Sequence, residues 1–376
     1  MKPVTHILLL FVVLFGLTNC AKDKSDIVYS KKYIEQIKAA RQDMVFFLSR
    51  NRVPGASVAI MKDGNLIYSE AMGLASKVLE VPVSRETKFR IGEISELFTS
   101  FIYLRMVEEG TLHPDSSIQF YMPEFPIKKH KITLNDLAYQ MSGIRNPLSQ
   151  EIEWRGLNVS IQKGLEQFKN DSLSYTPGMY QSNNFFHYNL LGAVMEKATN
   201  KKFHQILKEY VTDTLKLSRT LIDNPFVTVK GRTDFYDHNF ISQNVNATTR
   251  DMRYRAPSQG LLSNAEDVAI FGNAVINSNL LSEETKSKMF EPALLYNDIP
   301  SEHANGWLLL TDRRNNVMYG RSGAVTGCNS AILVYPELDL VVACVTNLNT
   351  GIDETPIFDL VKHFIPREEE QTKEIE

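Results

Sequence analysis

The segment Phe89-Arg90-Ile91-Gly92-Glu93-Ile94-Ser95-Glu96-Leu97-Phe98-Thr99 carries the most informative pattern in this chain. Its apolar residues continue at helical spacing beyond Thr99, which predicts a helix from Glu93 to about Glu109. The apolar stripe of this helix is formed by Ile94, Leu97, Phe98, Phe101, Ile102 and Met106. A helix with so many apolar residues is expected at the centre of the fold, and Gly110 favours its end.

Strand patterns lie on both sides of this helix in the sequence. Six strands are predicted, at residues 56–61, 66–71, 307–310, 316–319, 329–335 and 338–345. The Asp63-Gly64 turn joins the first two as a hairpin. The simplest arrangement is an α+β fold, in which one antiparallel sheet is built from both chain ends and covered by helices at 31–50 and 357–364.

A mainly helical lobe at about residues 111–260 is inserted between the two groups of strands. Further helices are predicted at residues 133–139, 161–168, 188–210 and 267–276. Residues 223–256 are polar and have weak periodicity. They are interpreted as a long excursion, of the kind that is often functional.

The N-terminus resembles a bacterial lipoprotein signal. Lys2 is followed by an apolar run from Ile7 to Leu17 and then by Cys20. This pattern predicts a signal peptide at 1–19 and a lipid on Cys20, followed by a polar tether at 20–30; the alternative is a plain secretory signal cut nearby. The run is too short to indicate a transmembrane helix.

A lipid on Cys20 would attach an exported protein to the bacterial cell envelope, and Ala21 favours the outer membrane by resemblance. The domain itself is expected at 31–366, and the acidic tail at 367–376 is predicted to be disordered. Cys328 and Cys344 lie in apolar, strand-like runs, so they are expected to be buried free thiols. The spacing of the cysteines indicates no metal site.

The composition is that of an ordinary globular protein and excludes few classes of function. Of 376 residues, 43% are hydrophobic and 23% are charged, which is enough apolar material for a large core. The formal net charge is −3, so there is no electrostatic reason to expect nucleic acid as a partner.

The segment 89–99 resembles the nucleophile helix of the serine β-lactamase and penicillin-binding-protein superfamily, in the branch related to class C β-lactamases. There the pattern is Phe-Arg-Ile-Gly/Ala-Ser-x-Ser-Lys-x-Phe-Thr. Six other segments resemble short sequence segments that are typical of this family, and they occur in the same order as in the family. They lie at residues 53–59, 107–112, 121–126, 137–144, 190–192 and 322–327. The resemblance covers about residues 50–350 and implies a β-lactamase-like fold.

The family's Ser-x-x-Lys pair falls on Glu93 and Glu96, so acids replace both the nucleophile and its base. The resemblance implies a serine that attacks an acyl carbon and a lysine one turn later that helps to remove its proton. A carboxylate at position 93 would form an anhydride, and Glu96 has no hydroxyl there to activate. Ser95 is no substitute, because two residues along a helix turn through about 200°. The one literal Ser-x-x-Lys, from Ser160 to Lys163, lacks the preceding strand and the apolar helix.

The catalytic residues of the family come from three sequence clusters, of which Ser-x-x-Lys is the first. The second cluster is Tyr-x-Asn, whose tyrosine acts as a base or proton relay. By resemblance its two positions fall on Asn183 and Phe185, unless Tyr180 enters through a different loop register. The cluster therefore looks lost, and the neighbouring Phe186 and Tyr188 are interpreted as core residues.

The third cluster of the family, His/Lys-x-Gly, falls on Arg321-Ser322-Gly323 and is the best preserved. The backbone N–H groups of Glu93 and Ala324 could still form a donor pair of the oxyanion type. Such a pair without a nucleophile would bind a ligand but would not turn it over.

Several interpretations of Glu93 and Glu96 stay open. The two acids can be favoured simply by the dipole at the start of a helix. Alternatively, Arg321 forms a bidentate ion pair with one of them and closes the former active site. A metal site is a further interpretation, with both acids as ligands and His187 or Asp251 as the third. No motif in the sequence fixes the spacing to that third ligand. A glycosidase pair is disfavoured, because residues at i and i+3 lie on one side of a helix.

Three functions follow from these residues. The first is a catalytically silent relative of the serine hydrolases, kept as an envelope lipoprotein that binds a small molecule or a peptidoglycan-like ligand. The second is an active hydrolase that uses another nucleophile, such as Ser160 or Ser322. The third is a purely structural envelope protein with a closed cleft. No cofactor is implied by any of them.

Overall fold

Two strands from opposite ends of the chain form the centre of the main sheet. β2 (Gly55–Lys62) pairs antiparallel with β14 (Leu340–Thr346), and the register joins Ala56 to Thr346. The expected antiparallel sheet built from both chain ends is therefore confirmed. The computed structural model describes residues 27–157, 160–350 and 355–366.

In the described part of the chain, the main sheet contains nine strands. Besides β2 and β14 they are β1 (Ile27–Tyr29), β3 (Asn65–Ser76), β4 (Val81–Pro82), β10 (His303–Ala304), β11 (Trp307–Thr311), β12 (Val317–Val325) and β13 (Cys328–Tyr335). Their order is β1-β3-β2-β14-β13-β12-β11-β10, with β4 paired to β3.

Two three-stranded sheets accompany the main one. The first has the order β5-β9-β6, with β5 (Phe89–Arg90), β6 (Leu221–Ile222) and β9 (Leu261–Ser263). The second has the order β15-β7-β8, with β7 (Tyr236–His238), β8 (Asn244–Asn246) and β15 (Leu348–Asn349). The lobe at 111–260 is therefore less purely helical than the sequence predicts.

Helices cover both faces of the main sheet. They are α1 (Ile34–Arg50), α2 (Ile94–Glu108), α3 (Ile118–Tyr121), α4 (Leu134–Ala138), α5 (Ser149–Ile152), α6 (Ile161–Gly164), α7 (Phe185–Thr199), α8 (Phe203–Leu207), α9 (Ala265–Asn277), α10 (Glu283–Phe290) and α11 (Ile357–Val361).

The alternation of side chains along β2 explains the two helical layers. Val58 and Ile60 pack in the cluster that contains residues of α1 and α11, whereas Ala59 and Met61 belong to the cluster with α2 and α9. Both faces of the strand are thus buried, which accounts for its nearly continuous apolar sequence. α2 is buried along almost its whole length, as its composition predicts.

The predicted helix at 188–210 is wrong in its extent. α7 begins at Phe185 and ends at Thr199, because Asn200 adopts a left-handed conformation with φ of 53°. α8 starts only at Phe203, after a break. Asparagine tolerates this conformation because its short polar side chain can bond locally, and it commonly ends a helix in this way.

Part of the expected tether is a strand. β1 pairs with β3 within the segment 20–30, and the register joins Ile27 to Glu70. The signal at 1–19, the acylated Cys20 and the tail at 367–376 lie outside the described residues. Within the described ranges, no helix combines the length and apolar character needed to cross a membrane. Cys328 and Cys344 are buried free thiols, as predicted.

A buried ion pair joins the excursion at 223–256 to β5. The Arg90 Nε donates to Asp223 Oδ2 at 2.7 Å, and the two side chains are 4% and 1% exposed. The same guanidinium donates to the Thr326 carbonyl at 2.8 Å and lies 4.1 Å from the ring centre of Phe235. One arginine therefore joins the entry to α2, the excursion and the β12–β13 turn.

Candidate functional site

Two glycines allow α2 and β12 to approach each other closely. Gly92 has φ of +50°, and a Cβ there would lie 3.1 Å from the Gly323 Cα and 3.2 Å from the Ala324 nitrogen. A Cβ on Gly323 would lie 2.5 Å from the Ile91 carbonyl oxygen. Larger residues would push the strand away from the helix, so these glycines set the width of the cleft.

Arg321 on β12 forms a buried ion pair with Glu96 on α2. Its Nη2 donates to Glu96 Oε2, and the side chains are 5% and 1% exposed. The Gln140 Nε2 donates to the same oxygen at 3.0 Å, and Arg321 Nη2 also donates to Asn183 Oδ1 at 2.9 Å. The predicted ion pair of Arg321 with one of the two acids is confirmed, and Glu96 is the acid that forms it.

The contact is not bidentate, contrary to the sequence-based expectation. A single nitrogen of Arg321 meets a single oxygen of Glu96. Among the described residues, the buried Arg321 Nε and Glu96 Oε1 have no hydrogen-bond partner.

Burial dominates the ionisation of Glu96. Loss of solvent raises the pKa of Glu96 to about 8, because the favourable charge of Arg321 offsets only part of the desolvation and the nearby Glu93 raises it further. The same surroundings affect His303, whose pKa is lowered to about 4 by burial and by Arg321.

The raised pKa of Glu96 predicts that stability falls as pH rises. The ordinary value is 4.5 and the folded value is about 8, so between these limits the folded state keeps a proton that the unfolded state releases. The stabilisation is complete below pH 4.5 and is lost as pH rises through about 8. We expect the variant Glu96→Gln to have a smaller decline in the free energy of unfolding between these values in urea titrations.

The matched control for this titration is Glu80→Gln, which removes an exposed carboxylate. It should leave the slope of stability against pH unchanged. An identical slope in Glu96→Gln and in the parent protein would show that Glu96 does not titrate in this range.

The Glu93 carboxylate accepts a hydrogen bond from a backbone N–H of β12. Its Oε2 accepts from the Ala324 N–H at 2.8 Å, and its Oε1 accepts from Gln259 Nε2 at 2.6 Å. The prediction that Ala324 offers a donor to a ligand is therefore wrong in this structure. The carboxylate at position 93 is long enough to reach across to β12, where a serine would leave the donor open.

The positions of the Tyr-x-Asn motif are separated by the start of α7. Asn183 is exposed and joins the polar network through Arg321. Phe185 is 5% exposed, and the Arg255 guanidinium lies 3.9 Å from its ring centre, so it packs outside the ion pair. Tyr180 is 58% exposed, and Tyr188 donates to the Ala138 carbonyl at 2.9 Å, in agreement with its predicted core position.

Neither candidate serine has the surroundings of a nucleophile. Ser322 is exposed and follows Arg321 on β12, so its side chain points to the opposite face of the strand. The Ser160 Oγ accepts from the backbone N–H of Lys163 at 3.1 Å and caps α6. The literal Ser-x-x-Lys is therefore a helix cap, and its hydroxyl bonds the lysine backbone.

The residues proposed for a metal site have other partners. Asp251 accepts two hydrogen bonds from the Arg253 guanidinium, at 2.8 Å and 2.7 Å. His187 is buried, its Nδ1 lies 3.2 Å from the Asn184 carbonyl, and burial lowers its pKa to about 4. In the described part of the chain, no three His, Cys, Asp or Glu side chains are grouped as a metal would require.

Sequence reasoning missed the two amides of the site. Gln140 and Gln259 each hold one of the two acids, and they come from different parts of the inserted lobe. Gln140 lies inside a segment that resembles a family landmark and has φ of 58°, which is unusual for glutamine. Gln259 follows the excursion and gives no signal in the sequence.

Comparison with known proteins agrees with this geometry. A sequence model described as Beta-lactamase matches residues 31–359 of the chain. The chain belongs to the beta-lactamase family. The matched range includes Glu93, α2, Asn183 and β12.

Individual beta-lactamase relatives are distant in sequence. The chain is 24% identical over 402 residues to the serine beta-lactamase-like protein LACTB, mitochondrial, of Homo sapiens, covering 82% of this chain and 73% of that protein. It is 23% identical over 321 residues to protein flp of Staphylococcus aureus strain MW2, covering 81% of this chain and 61% of that protein.

Solved structures show the same fold. The octameric penicillin-binding protein homologue from Pyrococcus abyssi superposes with a TM-score of 0.76 at 21% identity, covering 87% of this chain and 76% of that chain. A class C beta-lactamase superposes with a TM-score of 0.75 at 16% identity, covering 91% and 100%. The beta-lactamase fold is thus retained over nearly the whole described chain, although the residues at positions 93 and 96 are acids.

Proposed function

We propose that this protein is a catalytically silent member of the beta-lactamase family that binds a ligand in its altered cleft. We further propose that it does so as a lipoprotein of the bacterial cell envelope, held in the outer membrane through Cys20. The fold supports a role related to that of the serine hydrolases. The altered residues support binding in place of turnover.

The observation that carries the proposal is the hydrogen bond from the Ala324 N–H to the Glu93 carboxylate, at 2.8 Å. An acyl-transfer enzyme needs such a donor free for the oxygen of its substrate, beside a hydroxyl or thiol that attacks. Here a side-chain oxygen of Glu93 occupies the donor. Glu96, at the position of the base, is bound by Arg321 and Gln140.

The edge of β12 favours an extended peptide as the ligand. β11 pairs with β12 only as far as Leu308 opposite Gly320, so the described structure leaves residues 321–325 without a strand on that side. Backbone groups two residues apart point the same way, so the Ser322 N–H points to the side where Ala324 meets Glu93. A peptide derived from peptidoglycan could add a strand at this edge.

The burial of the ion pair favours a structural role as the second candidate. Glu96 and Arg321 are 1% and 6% exposed, so a ligand would meet the rim formed by Asn183 and Ser322 rather than the charges themselves. A protein whose cleft is filled by its own side chains can serve as a scaffold without binding a small molecule.

Activity-based labelling tests the loss of chemistry. We expect a fluorophosphonate probe and a labelled penicillin to give no covalent labelling above that of the heat-denatured protein, since no nucleophile adjoins the donor. A class C beta-lactamase serves as the positive control. Labelling that disappears in Ser160→Ala or in Ser322→Ala, while the fold is intact, would contradict the proposal and support the hydrolase alternative.

Thermal shift measurements test ligand binding. Short peptides that contain D-amino acids, and muropeptides, should raise the melting temperature, because a ligand that binds only the folded state stabilises it. The variant Ser322→Trp should abolish the shift by covering the strand edge, whereas the distant helix-cap variant Ser160→Ala should keep it. Equal shifts in both variants would show that the peptide binds away from the β12 edge, and no shift with any peptide would favour the structural role.

A further inference from the structure

Two turns carry large apolar side chains with very little cover. In the turn between β3 and β4, Val78 and Leu79 are 78% and 74% exposed. In the turn between β7 and β8, Phe240 and Ile241 are 98% and 53% exposed. Single exposed apolar residues are common on protein surfaces, but adjacent pairs at turn tips require an explanation. We call these two pairs the apolar tips.

Hydrogen bonds place both apolar tips at the same end of the main sheet. The Lys77 N–H, at the end of β3, donates to the Tyr236 hydroxyl of β7 at 2.7 Å. The β7–β8 hairpin is also bound to the residues that precede β2, since Arg52 donates to the Ser242 carbonyl at 3.0 Å and accepts from Asn244 at 2.8 Å. The start of β2 and the end of β3, which pair with each other, are thus the parts of the main sheet next to the two tips.

β1 is oriented with its first residue toward this end of the sheet. β1 runs antiparallel to β3, with Tyr29 opposite Tyr68 and Ile27 opposite Glu70. The first residue of β1, Ile27, is therefore the end of β1 that lies nearer to Ser76 and the first tip. Cys20 precedes Ile27 by seven residues, and a chain of that length spans at most about 25 Å when fully extended.

Charges around the tips are mostly positive. Among the exposed charged residues at 50–54, 76–81 and 225–250, four are basic and two are acidic: Arg50, Arg52, Lys77 and Lys230 against Glu80 and Asp234. Basic residues beside apolar tips suit the boundary between anionic headgroups and acyl chains. The core of a protein interface is instead depleted in lysine and acidic residues.

We propose that the apolar tips rest in the surface of an anionic lipid bilayer and fix the orientation of the domain on it. The inference rests on the proposed lipid anchor at Cys20, which brings this end of the sheet to the membrane. Two separate tips prevent the domain from turning about a single tether. The register places Ser322 in the same row across the sheet as Ile27, so the cleft is held at a set height above the headgroups.

A fluorescent label at each tip tests this orientation on the full acylated chain. A polarity-sensitive maleimide dye is attached in Phe240→Cys and in Val78→Cys, with Ile127→Cys as a control, since Ile127 is 89% exposed and lies elsewhere. Cys328 and Cys344 are fully buried and should stay unlabelled. Vesicles of phosphatidylglycerol and phosphatidylcholine in equal parts are compared with phosphatidylcholine alone.

We expect the emission at both tips to shift to shorter wavelength on the anionic vesicles and to be quenched by brominated lipid, with neither effect at position 127. Val78→Asp combined with Leu79→Asp should reduce the quenching at position 240 while the melting temperature is kept. Tip emission that is unchanged by vesicles would overturn the inference. So would a shift that depends only on protein concentration, because the tips would then contact another protein copy.

The mass of the mature chain separates this inference from the proposed anchor. If the mass shows no acyl chain, the anchor is wrong, and the same labels are measured in the Cys20→Ser background. Quenching at the tips would then still support contact with the bilayer, and its absence would still overturn it. If Cys20 is acylated and the tips are not quenched, the anchor stands and the tips do not touch the lipid.

Discussion

Replacing Arg321 by alanine is expected to destabilise the protein by about 3 kcal/mol at alkaline pH, where Glu96 is ionised. The Glu96 carboxylate is 1% exposed and would lose its only cationic partner among the described residues. Below pH 5 the expected cost is about 1 kcal/mol, because a protonated Glu96 needs no counter-charge. The measurement is urea unfolding of parent and variant at both pH values.

Two variants control this experiment. Glu96→Gln combined with Arg321→Met removes both charges and should recover most of the stability, because buried ion pairs can be replaced at little cost. Lys38→Ala breaks the exposed pair with Glu35, where the side chains are 60% and 76% exposed, and should cost about 0.5 kcal/mol or less. An unchanged melting temperature in Arg321→Ala at alkaline pH would show that the ion pair does not close the cleft.

Replacing Asp223 by alanine should cost about 3–5 kcal/mol, since it leaves the buried guanidinium of Arg90 without its carboxylate. The loss should also loosen residues 223–256, because this contact joins the excursion to β5 and to the β12–β13 turn. We expect limited proteolysis to cut the excursion well before the rest of the domain. Guanidinium unfolding measures the change in stability.

Asp234→Ala is the matched control on the same segment. Asp234 is exposed, and its carboxylate accepts only a long hydrogen bond of 3.5 Å from Tyr236 among the described contacts. Its removal should change stability by about 0.5 kcal/mol or less. If Asp223→Ala lost as little stability as Asp234→Ala, Arg90 would have another partner and other contacts would hold the excursion.

The sheet and the central helix could be predicted from sequence because their patterns are local and repeated. Alternation along β2 and the apolar stripe of α2 reflect burial on defined faces, which periodicity detects directly. The break at Asn200 escaped prediction, because it depends on one residue adopting a left-handed conformation within an otherwise helical pattern. The short strands β7 and β8 escaped because tertiary contacts, rather than their polar sequences, stabilise them.

The ion pair of the site could be predicted because the resemblance placed Arg321 and two acids at one cleft, where opposite charges attract. Which acid Arg321 would choose could not be predicted, since Glu93 and Glu96 are one helical turn apart. The structure resolves the choice through amides that carry no charge and no periodic signal. Gln140 supports Glu96, while Gln259 draws Glu93 toward Ala324.

The pairing of β2 with β14 also constrains how the chain can fold during synthesis. Ala56 and Thr346 are register partners although they lie 290 residues apart, 346 minus 56. The central pair of the sheet cannot form until almost the entire polypeptide has left the ribosome, and such distant contacts form slowly. β2 must therefore keep one edge unpaired until β14 has been synthesised, so this edge of the nascent chain stays open to other pairings for most of synthesis.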